Sequence, residues 1–417
     1  MDTTCQKFAN GSGQELKSKL QPMNILVFNA GSSTLKFALF DASACKELAA
    51  GVIDWQGTTA ANCEFHAPGV DETRCHTPVT DNREAVTWIL ARLDEHVSST
   101  GIHLVGHRIV HGGTKFTVST LIDDQVIAGL ERISELAPLH NPPALTALAA
   151  ARAALPEARH VAVFDTAFFA SMPLRSIVYP VPFQWFEQFG IRRFGFHGIS
   201  HAYCARRAAE LLDIEGSANK RLVICHLGNG CSATAIRSGQ PIATTMGFTP
   251  LDGLMMGTRS GAIDPGILLH LVQHHGMQLK QMDESLNRQS GLLGVSGVSS
   301  DFRVVASAAS AGNPRAKLAI DMFADRIRAT IGALTVTLGG IDALIFTAGI
   351  GANSAVLRSR VCDGLQCLNL ELDEEKNQQN TPESDVACRR SAGRILLIRT
   401  REEQAIAQAC ARSLNQS

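Results

Sequence analysis

Residues 24–41 read NILVFNAGSSTLKFALFD, and residues 221–239 read RLVICHLGNGCSATAIRSG. Each stretch is an apolar run, a turn of small and polar residues, and a second apolar or alternating run. That pattern predicts a strand–turn–strand hairpin. Glycine at the bend lets the backbone approach a bulky anion, and Ser, Thr and Asn add hydrogen-bond donors. With one such hairpin in each half of the chain, the expectation is a duplicated domain with a phosphate-holding turn in each copy. That describes a two-lobed enzyme gripping a nucleotide.

Outward from the hairpins, strand-like and helix-like segments alternate, so the class is α/β. Residues 83–97 have apolar residues at helical spacing. A strand-like segment follows at 103–113, and Pro142-Pro143 open an alanine-rich helix to about Leu155. The strand HVAVFD ends on Asp165, and ligands of open α/β sheets gather at the carboxyl ends of strands. Residues 179–201 are aromatic and proline-rich, which suggests a hinge or lobe boundary. The glycine-rich loop 246–266 is too long for an idle connection. A strong helix runs from Pro314 to Leu338 and stops at Gly339-Gly340. The strand DALIFTAGIGANS carries a third glycine turn, and RILLI at 394–398 leads into a C-terminal helix.

The chain has 417 residues, enough for two or three domains, with 45% hydrophobic and 18% charged residues. A net charge of −1 gives no bulk attraction to nucleic acid or an anionic membrane, and neither is expected as a partner. No apolar run reaches the roughly 18 residues that a membrane span needs. Residues 1–22 are polar and without a signal core, and read as a disordered extension or as the product of a start codon assigned too early. The eleven cysteines include no CxxC and no zinc spacing, which points to reduced thiols in a cytoplasmic protein, with Cys225 and Cys231 as packing residues.

The chain has no GxxxxGK[ST] and no GxGxxG after a first strand, so any phosphate work falls to the turns at 29–34, 228–232 and 347–351. Arg108 in GHRIVHGG and Arg259 in GTRSGAIDPG lie among glycines. Each is either half of a surface salt bridge or a planar fork for phosphate or carboxylate oxygens. Two such arginines are what phosphoryl transfer to a carboxylate requires. His140 in APLHNPP and His197 in FGFHGISH are the best-placed histidines, as site or as structural residues. His201 would share a helix face with His197, which leaves a metal pair as one reading. The other histidines read as surface residues. Asp165, at the end of a buried strand, needs a cation or a donor beside it, either a magnesium ion or a hinge salt bridge. Thr400 and Glu403 have the spacing of a capping box, which leaves Glu402 for a metal or its waters.

The motifs NAGSSTLKF, GHRIVHGG, APLHNPP, VFDTAFF, FGFHGISH, CHLGNGCS, PLDGLMMGTRSG, SSDFR, FTAGIG and TREE occur in this order. In this the chain resembles the acetate kinase family of short-chain acyl kinases, from Met23 to the final helix. The resemblance implies the actin, Hsp70 and sugar-kinase fold, two ribonuclease-H-like lobes with a cleft between. The first lobe would be 23–166 plus 400–417, and the second 167–399. It implies reversible, magnesium-dependent transfer (manganese serving as well) from ATP to acetate, giving acetyl phosphate and ADP, by a homodimer.

By motif position, Asn29 and Glu402 would be magnesium ligands, Arg108 the carboxylate-binding arginine, and Asp165, His197 and Arg259 the catalytic set. His140 would lie near the phosphate. Val110, Leu139, Phe196 and Pro250 would line the acyl pocket, where the bulk of Val110 favours acetate over longer acids. Ser32, Thr34 and Lys36 fall on the first phosphate loop. His226, Leu227, Gly228, Asn229, Gly230, Asp301, Phe302, Arg303, Gly349, Ile350, Gly351, Ala352 and Asn353 fall on the nucleotide site. Ala262, Ala352, Phe169 and Arg401 depart from the family pattern. Propionate kinase is the near alternative. A nucleotide clamp, or an enzyme that has lost transfer, would bind nucleotide without turnover.

Overall fold

The computed structural model describes residues 24–31, 34–41, 46–55, 60–97, 101–212 and 220–414. The expectations for residues 1–22, Met23 and Ser32 lie outside the described residues. The chain divides into two compact units, one running to Ala167 and resuming at Arg401, the other Phe168–Thr400.

The first unit is built on β1 (Asn24–Ala30), β2 (Thr34–Asp41), β3 (Lys46–Asp54), β4 (Ala61–Ala67), β5 (Val70–Thr77), β6 (Ile102–Ile109), β7 (Thr120–Leu121) and β8 (Arg159–Phe164). The second contains β9 (Arg221–Leu227), β10 (Cys231–Arg237), β11 (Gln240–Thr244), β12 (Ala343–Thr347), β13 (Ser384–Asp385) and β14 (Arg394–Leu397). The first sheet has the order β5-β4-β3-β2-β1-β6-β8-β7 and the second β11-β10-β9-β12-β14-β13. With β5 and β4 set aside, the two orders coincide strand for strand. Directions coincide as well. The hairpin partner and the strand beyond it are antiparallel, the next two strands are parallel, and the short edge strand is antiparallel. The duplication read from the two hairpins is therefore a repeat of whole sheets.

Both hairpins form as expected, with Asn29 opposite Lys36 in the first and His226 opposite Ser232 in the second. The central strands are covered on both faces, so their sequences are continuous apolar runs rather than alternating ones. In the first unit, Phe28, Phe37, Phe65, Ile89, Leu148 and Phe164 belong to one core. The C-terminal helix Glu402–Leu414 packs on this sheet at Gly106, where a Cβ would lie 2.7 Å from Cys410 Sγ and 2.8 Å from Ile406 Cγ2. The helix Asn82–His96 is capped by Asp81, whose carboxylate accepts from the Arg83 and Glu84 N–H groups. The long helix Pro314–Leu338 ends at Gly339 in the left-handed region. No helix of the described residues is long and apolar enough to cross a membrane.

Two expectations are corrected here. The segment 179–201 lies within the second unit rather than at a boundary, and it contains the helix Phe183–Phe189 and the start of Gly198–Leu211. Nor are the remaining histidines all on the surface. His107, His111 and His160 are buried, with His107 Nε2 3.0 Å from His160 Nδ1.

Burial holds His107, His160 and His201 below the ordinary imidazole range and pushes His111 down to about 4. In the unfolded chain these groups titrate near ~6.5. Above that pH neither state is protonated. As pH falls from about 6.5 towards 4, the unfolded chain takes up protons that the folded chain refuses, so stability is lost. His111 alone accounts for about 3 kcal/mol by the acid end of that window. The urea midpoint is expected to drop between pH 7 and pH 5, and an unchanged midpoint would refute the buried neutral state.

Candidate active site

In the first unit, β1, β6 and β8 run parallel, so their carboxyl ends lie together. Asn29 is near the end of β1, Arg108 near the end of β6, and Asp165 follows β8. The Asp165 N–H donates to Ile109 O at 3.0 Å and holds its side chain beside Arg108. Arg108 donates to Asp165 Oδ2 through Nη2 at 2.5 Å and Nε at 3.2 Å, and to Asn29 Oδ1 through Nη1 at 3.0 Å. Asn29 Nδ2 in turn donates to Glu403 Oε1 at 2.9 Å and reaches Glu402 Oε2 at 3.4 Å. Burial works against the Arg108 cation, but Asp165, then Glu402 and Glu403, overcome it and raise its pKa.

The proposed capping box is not formed. Glu403 turns to Asn29, and the buried Thr400 Oγ1 has no hydrogen-bond partner among the described residues. Around one arginine stand three carboxylates and a carboxamide, all hard oxygen donors with surplus negative charge, which suits a magnesium ion that keeps much of its water. Among the described residues, no three His, Cys, Asp or Glu side chains are grouped to hold a metal directly.

Val110 is buried just beyond β6, whereas Leu139 is 39% exposed. His140 precedes the helix Asn141–Ala154 and caps it with no side-chain bond. The Gly31 N–H closes the first turn on Thr34 O at 2.7 Å, and Lys36 is exposed on β2 across from Asn29.

In the second unit, His197 adopts a left-handed backbone (φ 57°) immediately before the helix Gly198–Leu211. Such a backbone is uncommon for a residue with a Cβ and often marks a site. Its ring stacks on His226 at 4.1 Å, and its Nδ1 lies 3.0 Å from Ser232 Oγ. A Cβ placed on Gly230 would be 3.3 Å from His197 Nε2 and 3.6 Å from Arg259 Nη1, so the two side chains converge over the glycine turn. Gly228 N–H bonds Gly230 O at 3.0 Å, Leu227 is buried and Asn229 is exposed at the tip.

Arg259 Nη1 donates to Pro250 O at 3.2 Å. Burial lowers its pKa, and no carboxylate among the described residues pairs with it. A half-buried guanidinium with no carboxylate beside it favours an anion there. Phe196 is buried, and Gly195 (φ 75°) has the Phe169 ring where a Cβ would lie 2.5 Å away.

The third glycine turn is a short helix, Ala348–Asn353, rather than an open turn. Gly349 and Asn353 are exposed, Ile350 is half-buried, and Gly351 and Ala352 are buried. The wholly buried Arg358 donates to Gly351 O at 2.9 Å and to the Asn377 and Asn380 side chains at 2.7 Å each. Asp301 caps the helix Phe302–Ser310 and pairs with Arg303 at 2.6 Å, Arg303 itself being exposed. Phe302 is buried against Phe323.

A family profile described as the Acetokinase family matches residues 24–408. The chain belongs to the acetokinase family. It is 47% identical over 409 residues to an acetate kinase of Cyanothece sp., with 93% of this chain and 98% of that protein covered. It is 48% identical over 387 residues to a propionate kinase of Citrobacter rodentium, with 92% and 95% covered. The crystal structure of Porphyromonas gingivalis acetate kinase matches at TM-score 0.86 and 38% identity, covering 94% of this chain and all of that one. As an acetokinase it is a phosphotransferase with a carboxyl acceptor, and its mixed α/β fold is that of the solved family structures.

The structure thus brings Asn29, Arg108, Asp165 and Glu402 into one network and His197, Arg259 and Gly230 into another. Sequence reading of this acetokinase missed Glu403 as a partner of Asn29. It also missed Asn141, whose side chain bonds both the N–H and the C=O of His111, at 3.1 and 3.0 Å, and Ser232. Asn141 lies inside the quoted APLHNPP and Ser232 inside CHLGNGCS, but nothing in those motifs shows what the two side chains touch.

Proposed function

We propose that the chain catalyses reversible, magnesium-dependent transfer of the γ-phosphoryl group of ATP to acetate, giving acetyl phosphate and ADP by direct in-line displacement. The observation that carries this reading is Arg259, half-buried without a carboxylate partner among the described residues and converging with His197 on the Gly228–Gly230 turn. A group placed there can meet charge developing on a transferring phosphoryl. A carboxylate needs no deprotonation at neutral pH, so no strong base is required, and Asp165 is committed to Arg108 rather than to a proton. Arg108 holds the acceptor carboxylate. We assign Lys36 and the amides near Thr34, Gly228 and Gly351 to phosphate oxygens, and Val110, Leu139, Phe196 and Pro250 to the acyl group. His140 lies near the phosphate, and Asp301 to Arg303 and Gly349 to Asn353 serve the nucleotide. Asn29 and Glu402, with Glu403 beside them, would hold Mg2+, which supplies neutralisation of phosphate charge when bound.

Propionate as preferred acid is the second reading, because relatives named propionate kinase match as well as those named acetate kinase. One methylene is worth only about 1–3 kcal/mol of discrimination, so both acids should react. We place the enzyme in the cytoplasm as a homodimer. The helix Pro265–His275 buries no residue and exposes Ile267, Leu269 and Val272, a face suited to a second copy.

The test is ATP-dependent acyl-hydroxamate formation with acetate, propionate and butyrate, with and without magnesium, on protein eluting as a dimer. Magnesium-dependent product, fastest with acetate, is expected. Faster propionate moves the pocket assignment, and no product from ATP-binding protein ends the kinase reading.

A further inference from the structure

Ser232 stands between two imidazoles. Its Oγ is 2.7 Å from His201 Nε2 and 3.0 Å from His197 Nδ1, and both Ser232 and His201 are wholly buried. A serine hydroxyl has one proton and two lone pairs, and among the described residues the two rings are the hydrogen-bond partners of Ser232 Oγ, so its buried proton goes to one ring and it accepts from the other. His201 decides which. Burial first, and then His226, keep His201 neutral, so it carries a single ring proton. Its Nδ1 has no hydrogen-bond partner among the described residues. Orphaned buried N–H groups are rarer in proteins than under-satisfied acceptors. The His201 proton therefore sits on Nε2, at the shorter contact. Ser232 accepts there and turns its own proton to His197 Nδ1.

We propose that Ser232, backed by His201, holds His197 with Nδ1 unprotonated and its proton on Nε2, so that His197 offers an N–H to the anion at the Gly230 turn beside Arg259. The opposite relay would leave a bare lone pair on Nε2, which repels phosphoryl oxygens. The stack of His197 on His226, itself bonded through Nδ1 to Ser200 Oγ at 2.8 Å, fixes the ring plane in which this N–H points. Ser232 is thus a positioning residue, and its significance for catalysis rests on the proposed role of His197 in transfer.

The deciding measurement is a long-range 1H–15N spectrum of the full-length protein labelled at its 14 histidines, at pH 7, with His197 assigned from the His197→Gln spectrum. An unprotonated Nδ1 with a protonated Nε2 supports the proposal. A protonated Nδ1, in either a neutral or a doubly protonated ring, overturns it. Ser232→Ala should mix the tautomers and lower kcat about 10–100-fold, the range for an outer-shell partner, with both KM values within about two-fold. Ser232→Thr, which keeps the hydroxyl, should restore tautomer and kcat together. If either variant fails to fold, the spectrum of the unaltered chain still decides. An unaltered tautomer in Ser232→Ala overturns the positioning role. Should His197→Ala keep full activity while the spectrum is as expected, the tautomer assignment stands and the transfer role of His197 falls.

Discussion

Arg108→Ala is expected to lower kcat/KM for the carboxylate at least about a thousand-fold and to destabilise the first unit by about 3–5 kcal/mol. Both effects come from the same contacts. The Asp165 side chain is 2% exposed, and Arg108 holds it through Nε and Nη2. Removing the guanidinium leaves a carboxylate buried without its counter-ion, and it releases Asn29 from one of its restraints. The same change removes a guanidinium that interacts with Asp165, Glu402 and Glu403, so an incoming acid would meet more negative charge. Steady-state kinetics and urea unfolding read the two effects separately. The double variant Arg108→Met with Asp165→Leu should recover stability and not activity, because the stranded charge is gone. An unaltered unfolding midpoint in Arg108→Ala would mean that Asp165 is solvated, contrary to the geometry.

Arg259→Met should show the opposite pairing, with kcat reduced about a thousand-fold or more and stability unchanged or raised by about 1 kcal/mol. Arg259 is half-buried at the glycine loop with backbone and thioether neighbours, Pro250 O and Met256 Sδ, and no carboxylate partner among the described residues. Its cation is therefore a cost in the protein without ligand, and methionine fills similar volume without it. Thermal unfolding and kcat measured on one preparation check this. A loss of more than about 2 kcal/mol on removing Arg259 would show that the arginine is structural and that the anion site lies elsewhere.

What could be read in advance follows from how far the signals reach along the chain. Both glycine hairpins, the helix from Pro314 and the strand ending at Asp165 are local patterns of period, capping and glycine placement, and they form where expected. Strands β3, β4 and β5 were not foreseen: KELAAGVID and VDETRCHT have no clear apolar period, and in ANCEFHA the alternation is carried by only Cys63 and Phe65 beside two alanines. Site residue types were legible in the motifs, but their pairings were not. Arg108 meets Asp165 across 57 positions and Asn29 meets Glu403 across 374. No local rule links such residues. Only the parallel ordering of β1, β6 and β8, and the return of the last helix to the same sheet, bring them together.

The matching of the two sheets has a consequence for how the halves can change over time. At the strand ends of the first sheet the groups we propose as working ones are side chains, those of Asn29, Arg108 and Asp165, each set by a single residue. At the corresponding turns of the second sheet much is presented by the main chain, at Gly228–Gly230 and around Ala348, which holds φ 64° without being glycine. Main-chain groups survive substitution as long as the backbone conformation does. On this proposal the first copy tolerates little change at those three side chains. In the second, His197 and Arg259 are constrained in the same way, whereas a residue that offers only its amide to a ligand is free to change wherever the backbone conformation is kept.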